Sequence, residues 1–215
     1  IVSHNIRSLR AHINQVTSDL FYLSASVVLL FSETTWTVSR SPETFDIRGF
    51  TMTARADNAN SSIPSAIGAC CYIKNSLLSQ GGDIINDAIF LTEPNYSVSV
   101  ALSSLSLDVY ASIYAIPDTS VTLIMRALLF IVNRPYNDIV IGGDFNVDFG
   151  ADSRHLVKKR SILQFMSDNG MKSPLNVAFT TQRGTFIDNI FCTALVIDSG
   201  TYVSFKSDHE PLFIK

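Results

Sequence analysis

Short strand-like runs set the tightest limit on what this chain can fold into. Nine of them, at Ile1 to Ile6, Val27 to Phe31, Ile67 to Ile73, Tyr96 to Ala101, Leu107 to Ala115, Asp138 to Ile141, Thr185 to Phe191, Tyr202 to Phe205 and Pro211 to Ile214, are mostly β-branched or aromatic. Helical period is confined to Ser8 to Leu23, Ser120 to Asn133, and Ser153 to Asn169 with the stop signal Gly170 behind it. A majority of strands with a few helices between them predicts an α/β protein, sheet packed on sheet with helices outside. The 215 residues, 47% of them hydrophobic, suffice for one core, so a single domain over 1–215 is expected. Because Ile1 to Ile6 already reads as a strand, the chain is expected to be a fragment of a longer polypeptide. Ala54 to Ala66 reads as a loop and Ser79 to Asp83 as a turn.

Charge and cysteine narrow the function classes. Sixteen Lys+Arg against nineteen Asp+Glu give a net charge of −3. That balance argues against a protein that grips nucleic acid mainly by bulk positive charge. Cys70, Cys71 and Cys192 are too few and wrongly spaced for a disulfide framework or a zinc site, and read as small buried residues of a reducing compartment. The most apolar stretch, Leu123 to Val132, is broken by Arg126 and is far shorter than the roughly 20 residues of a membrane span. No charged leader precedes an apolar core, so no export signal is expected.

Chemistry concentrates at strand ends. Ile139 to Phe145 is an apolar strand that closes on two glycines, Asp144 and, two residues on, Asn146. Glycines permit the tight turn, and an i, i+2 pair leaving a strand can aim both side chains into one cleft. There a carboxylate and a carboxamide can orient a water and donate to a phosphate oxygen; the same residues also suit a plain turn. Ser207-Asp208-His209 precedes the last strand. An imidazole titrates near neutrality and is made more basic by a carboxylate, so His209 is a general acid/base candidate, although a surface-turn histidine would read alike. Its orienting carboxylate must come from elsewhere, and Asp188, a charge inside the apolar run Phe186 to Phe191, is the natural supplier. Glu33 sits where a strand hands over to a loop. Together with Asp208 it would satisfy Mg²⁺, which needs one or two carboxylates plus waters, with Asn5 as a further contact to metal-bound water or phosphate.

Taken in order, His4-Asn5-Ile6-Arg7-Ser8-Leu9, Ser32-Glu33-Thr34-Thr35-Trp36, the strand from Gly68 to Lys74, Tyr114-Ala115-Ile116-Pro117, Gly143-Asp144-Phe145-Asn146, Thr185 to Phe191 and Ser207-Asp208-His209 resemble the endonuclease/exonuclease/phosphatase superfamily. Within it they are most similar to the apurinic-like endonuclease domain of non-LTR (LINE-type) retrotransposons. The order and spacing of several motifs, over essentially the whole chain, carry the resemblance. His4 stands where an aromatic residue is common and Arg7 where abasic-site repair enzymes carry an acidic one, and both fit the retroelement domains better. Tyr-Ala-Ile-Pro lacks the arginine often found after this tyrosine.

The resemblance implies a four-layer α/β sandwich of the DNase I-like kind, two mainly antiparallel sheets face to face with helices outside. It implies Glu33 as the metal carboxylate, Asn5 as its support and Asp208 beside the metal. Asp144 and Asn146 would align the nucleophile and contact the scissile phosphate, Tyr114 would touch a phosphate oxygen, and Asp188 would orient His209. The expected activity is Mg²⁺-dependent nicking of double-stranded DNA, with Mn²⁺ as a substitute, leaving a 3′-hydroxyl that primes reverse transcription. A reverse transcriptase domain in the same polypeptide, a monomeric domain, no membrane association and action on host DNA in the nucleus follow from the same likeness. An abasic-site repair nuclease, or a phosphatase acting on a small or lipid phosphoester, is the alternative. Arg154, Lys158, Lys159 and Arg160 follow the Asp144 loop, and Arg7, Arg10, Arg183 and Lys206 lie near other motif ends. They could track a DNA backbone, although the first four equally suit a solvated helix face. If Glu33, Asp144, Asp188 and Asp208 form the site, they are 4 of the 19 acidic residues and leave 15 against 16 basic ones, so the −3 belongs largely to the site.

Overall fold

The computed structural model describes residues 1–19, 21–35, 45–56, 67–78, 84–93, 95–103, 107–150, 155–204 and 207–215, of which 21–22, 84–93 and 103 are described as backbone only. A first sheet has the order β10-β11-β1-β2-β4-β3, with β1 Val2–Asn5, β2 Val28–Ser32, β3 Phe50–Ala56, β4 Ala69–Lys74, β10 Ser199–Thr201 and β11 Leu212–Ile214. A second has the order β5-β6-β7-β8-β9, with β5 Ile84–Glu93, β6 Tyr96–Ser103, β7 Val109–Ala115, β8 Ile139–Asp144 and β9 Asp188–Cys192. The helices are α1 Leu9–Ser18, α2 Asn75–Leu78, α3 Val121–Val132 and α4 Leu156–Asp168. All strand pairs are antiparallel except β1 with β2 and β7 with β8. The sheets are therefore mainly antiparallel, as expected.

Those two parallel pairs place the chemistry. A parallel pair needs a crossover, supplied by α1 for β1/β2 and by α3 for β7/β8, and it brings both carboxyl ends to one edge. One pair delivers Asn5 and Glu33, the other Tyr114 and Asp144. β9 runs antiparallel to β8 and sets Asp188 opposite Asp144, and β11 runs antiparallel to β1, so the residues just before it arrive at the same end.

Period-2 alternation builds the layers. On β2, Val28 and Leu30 join Cys71, Ile73, Val140, Ile190 and Leu212 in the seam between the sheets. Leu29 and Phe31 face outward to Val2, Tyr72 and the α1 residues Leu9 and Val16. Behind the second sheet, Val98, Ile113 and Ile141 pack on Ile124, Leu128 and Ile131 of α3 and Ile162 and Met166 of α4. Each such aliphatic side chain contributes about 1.5–3 kcal/mol on burial. Ser120 starts α3 by accepting from Leu123 N, and Gly170 at φ 72° follows α4. All three cysteines are buried and free, and burial pushes Cys71 up to about 12, as befits inert apolar residues.

Several sequence expectations move. The first helix stops at Ser18, where Asp19 turns extended, and a single π-helical turn Phe21–Ala25 takes its place. Ala54 to Ala56, expected in a loop, end β3, an edge strand with a register shift between Met52 and Ala54, and residues 57–66 lie outside the described ones. β5 and α2 had no legible pattern; the pairing register of β5 with β6 shifts between Ile85 and Ile89. Of the expected strand Tyr202 to Phe205, residues 202–204 are not strand and Phe205 lies outside the described residues, a short strand Ser199–Thr201 coming just before; Thr185 to Ile187 are not part of β9. The turn Ser79 to Asp83 lies outside the described residues. Among the described residues no helix is long and apolar enough to cross a membrane.

Candidate active site

Gly142 and Gly143 allow Asp144 to sit where it does. A Cβ on Gly143, at φ 151°, would collide with the carbonyl oxygen of Ile113, and one on Gly142 would lie 2.7 Å from Ser3 Oγ of the facing sheet. The two sheets thus approach closely beside Asp144, and a side chain from one can reach the other. Asn5 does so: its Nδ2 donates to Glu33 Oε2 at 2.8 Å and to Asp144 Oδ2 at 2.8 Å, while its Oδ1 accepts from Arg7 N. One amide therefore ties the carboxylates of the two sheets together. Asn146, at φ 47°, completes the clamp, its backbone N donating to Asp144 Oδ1 at 2.7 Å and its Nδ2 to Ala115 O and, at 3.3 Å, to Asp144 Oδ2.

Deeper in, His209 Nδ1 lies 2.8 Å from Asp188 Oδ2. A carboxylate only accepts, so Nδ1 carries the proton and Nε2 is the ring nitrogen left for exchange. Thr180 Oγ1 donates to the same Asp188 oxygen at 2.8 Å and accepts from the backbone N of Ile187 and Asp188. Backbone bonds from Gln182 N to Asp208 O and from Glu210 N to Thr180 O hold the His209 loop against this segment. His4 Nε2 adds a contact to His209 O at 3.1 Å. Burial pulls the imidazole down, but the charges of Asp188, Asp144 and Asp208 outweigh it and hold it up at about 9. Asp144 is held well above the usual carboxylate range by burial first and by Asp188, directly opposite on β9, second. Burial also raises Glu33, against its Asn5 hydrogen bond and the Arg7 charge.

These groups open on a cavity of about 640 Å³ whose walls include Arg7, Glu33, Tyr114, Asp144, Asn146, Arg183, Asp208 and His209. Tyr114 is buried, and burial followed by the Glu33 and Asp144 charges keeps its phenol protonated. Strained backbone clusters here, with φ of 48° at Arg7 and 56° at Glu33 in addition to Asn146. Asp208 faces Arg7, whose Nε is 3.0 Å from Asp208 Oδ1 and 4.0 Å from Glu33 Oε2.

The donor set suits a hard divalent cation. Glu33, Asp144 and His209 offer ligand atoms within 4.8 Å of one another. Asp188 engages the imidazole, which leaves the two carboxylates as the hard oxygen donors that Mg²⁺ or Mn²⁺ prefers. The expected metal pair is Glu33 with Asp208; in this geometry the ligand atoms that come together are those of Glu33, Asp144 and His209, while Asp208 Oδ1 lies against Arg7 in the cavity wall. Asn5 points its amide NH₂ at the carboxylates and braces them, its oxygen being engaged by Arg7 N.

Of the expected DNA contacts, Arg7 and Arg183 line the cavity. Lys158 and Lys159 do not, and Lys159 Nζ is turned back to Gly150 O at 2.7 Å, which fits a helix-surface role. Arg154 and Lys206 lie outside the described residues. Sequence reasoning passed over Thr180, Asp148 and His155. Asp148 Oδ1 accepts from the backbone N of Gly150 and Phe186, joining the Asp144 loop to the approach to β9, and His155 sits in the cavity wall. Asp148 had a signal, a third polar residue in alternation after Asp144 and Asn146; Thr180 had none.

The sequence matches the Endonuclease/Exonuclease/phosphatase family over residues 2–209. The chain belongs to that family. Solved structures agree with this family fold. They include an AP endonuclease from Leishmania major, with 13% identity, TM-score 0.66, and coverage of 99% of this chain and 86% of that one. The endonuclease domain of TRAS1, a telomere-specific non-LTR retrotransposon, has 14% identity and TM-score 0.68 over 98% of this chain and 94% of its own. The inositol polyphosphate 5-phosphatase domain of SPsynaptojanin has 10% identity and TM-score 0.58 over 99% and 81%. No curated protein matches the chain in sequence. The fold is therefore the DNase I-like sandwich of this endonuclease/exonuclease/phosphatase family.

Proposed function

We propose that this family member is a metal-dependent DNA endonuclease that nicks double-stranded target DNA and leaves a 3′-hydroxyl to prime reverse transcription of a retroelement. The observation that carries the reading is the convergence of Glu33, Asp144 and His209, drawn from both sheets, on one cavity, with Asn5 and Asp188 hydrogen-bonded to them from behind. The likeness to the TRAS1 endonuclease domain supports the substrate and the retroelement role. Arg7 and Arg183 at the cavity suit a phosphodiester backbone.

Glu33 and Asp144 would hold Mg²⁺, or Mn²⁺ in its place, with Asp208 at the rim. The ion would polarise the scissile phosphate and offset developing charge. Asp188 fixes the tautomer and direction of His209, whose deprotonated form takes the proton of the attacking water at Nε2. Asp144, held by Asn5 and Asn146, places that water, while Tyr114 donates to a phosphate oxygen, joined by Asn146 once its Nδ2 releases the 3.3 Å bond to Asp144 Oδ2. On the same reading the chain is a single domain of a longer polypeptide that includes a reverse transcriptase, acts as a monomer and works in the nucleus.

Nicking of supercoiled plasmid with Mg²⁺ and with EDTA, followed by end analysis, tests this. The expected result is an EDTA-sensitive nick with a 3′-hydroxyl. The AP endonuclease and inositol phosphatase likenesses favour the second reading, abasic-site or small-phosphoester cleavage. Abasic duplex and a soluble inositol phosphate in parallel reactions separate it; preference for either over intact plasmid would replace the first reading.

A further inference from the structure

Arg7 supplies a positive charge where the proposed metal site meets its rim. Its Nε is 3.0 Å from Asp208 Oδ1 and 4.0 Å from Glu33 Oε2, and Glu33 also belongs to the group with Asp144 and His209 that can converge on one cation. The Asp208 contact is an ion pair without hydrogen-bond geometry: Asp208 Oδ1 is buried and has no hydrogen-bond partner among the described residues. A guanidinium normally engages a carboxylate through a two-pronged, directional fork. Here only charge holds it.

The rest of the residue is arranged differently. The Arg7 backbone is fixed at φ 48°, its N donates to Asn5 Oδ1, and the next residue's N donates to Glu33 O at 2.8 Å. The stem is therefore locked over the cavity. Its side chain is 47% exposed, against 13% for Glu33 and 25% for Asp208, so the head can swing outward without unpacking the core.

We propose that Arg7 is a built-in competitor of the divalent ion, a placeholder cation that steadies Glu33 and Asp208 in the metal-free protein and must be displaced when an ion enters. This inference rests on the proposed metal-dependent reading. Once displaced, the guanidinium remains at the cavity mouth and can pair with a phosphate, so ion and phosphate should each favour the other's binding.

Mn²⁺ binding, followed by the loss of its free EPR signal, tests this on the native chain, Arg7→Gln, Arg183→Gln and Glu33→Gln. Removing the competitor should tighten Mn²⁺ binding about five- to tenfold, the order expected for a partly screened ion pair, whereas Arg183→Gln, an equal charge change in the same cavity, should shift it less than about twofold. Equal or weaker binding by Arg7→Gln, with Glu33→Gln defective, overturns the competition and leaves the metal site standing. Native binding that Glu33→Gln does not weaken overturns both. A measurement on the unmutated protein guards against misfolding: the Arg7 Nε–Hε NMR signal should move as Mg²⁺ saturates, and a signal that stays fixed through saturation overturns the proposal.

Discussion

The inner and outer parts of the site are built by different rules. Inside, Asp144, Asp188 and His209 are nearly inaccessible, and their hydrogen bonds to Asn5, Asn146 and Thr180 run at 2.7–2.8 Å, apart from 3.3 Å from Asn146 Nδ2 to Asp144 and 3.2 Å from Asp188 N to Thr180, with Asp188 Oδ1 unpartnered among the described residues. Outside, Arg7, Glu33 and Asp208 are partly exposed, and among the described residues Arg7 pairs with both carboxylates and Asp208 Oδ1 has no hydrogen-bond partner. Low dielectric makes the inner contacts strong and makes any unpaired group there costly. The outer pairs are screened and easily exchanged. The difference separates a buried, hydrogen-bonded part from a more exposed part held by charge.

Breaking the inner part should cost most. His209→Ala and Asp144→Ala should each lower plasmid nicking by about 10³-fold or more at saturating Mg²⁺, within the range of a lost general base or a displaced reactant. Loss below tenfold in both would mean that the chemistry lies elsewhere. Asp188→Asn should cost about 10²-fold, and Thr180→Val about tenfold, because each acts through the orientation of the imidazole. Equal pH–rate profiles for Thr180→Val and the native protein would show that Thr180 merely stabilises the loop.

The bracing amide joins the two parts. Asn5→Ala should raise the Mg²⁺ concentration needed for half-maximal nicking about tenfold, by the usual weight of groups that orient ligands, with a smaller change in the maximal rate. A pH series in EDTA reads the inner ion pair without a bound ion. Despite the pull of burial, His209 is raised from 6.5 to about 9 by its carboxylates. A raised value means that the folded state holds the proton more tightly, so this stabilisation is complete below about 6.5 and is lost as the pH climbs through about 9. The unfolding midpoint should fall over that window and flatten in His209→Gln. The smallest effect belongs to the rim: Arg183→Ala should reduce the salt slope of DNA binding by about one unit and leave Mg²⁺ dependence alone.

What sequence made visible was residue type at strand ends. Asp144, Asn146, Asp188, Glu33 and His209 stood out because polar groups bordering apolar runs are expensive unless used, and the structure brings four of them to one cavity with Asp188 behind His209. Pairing between them was less accessible. The like-charged neighbours Asp144 and Asp188 become visible only with the β8/β9 register, and Thr180 is one of several threonines until the fold folds it back on Asp188. Edge strands were the weakest part of the reading. β3 and β10 are flanked on one side only, so their sequences can be polar and short, and they carry little alternation to detect.

Asn5 lies in the first strand, His209 almost at the last, and β11 closes on β1. A growing or half-assembled chain with one sheet formed holds Glu33 without Asp144, or Asp144 without His209. On the proposed reading, activity would therefore arrive last in the order of assembly, after residue 209 has been joined and docked, and incomplete chains would lack the assembled site.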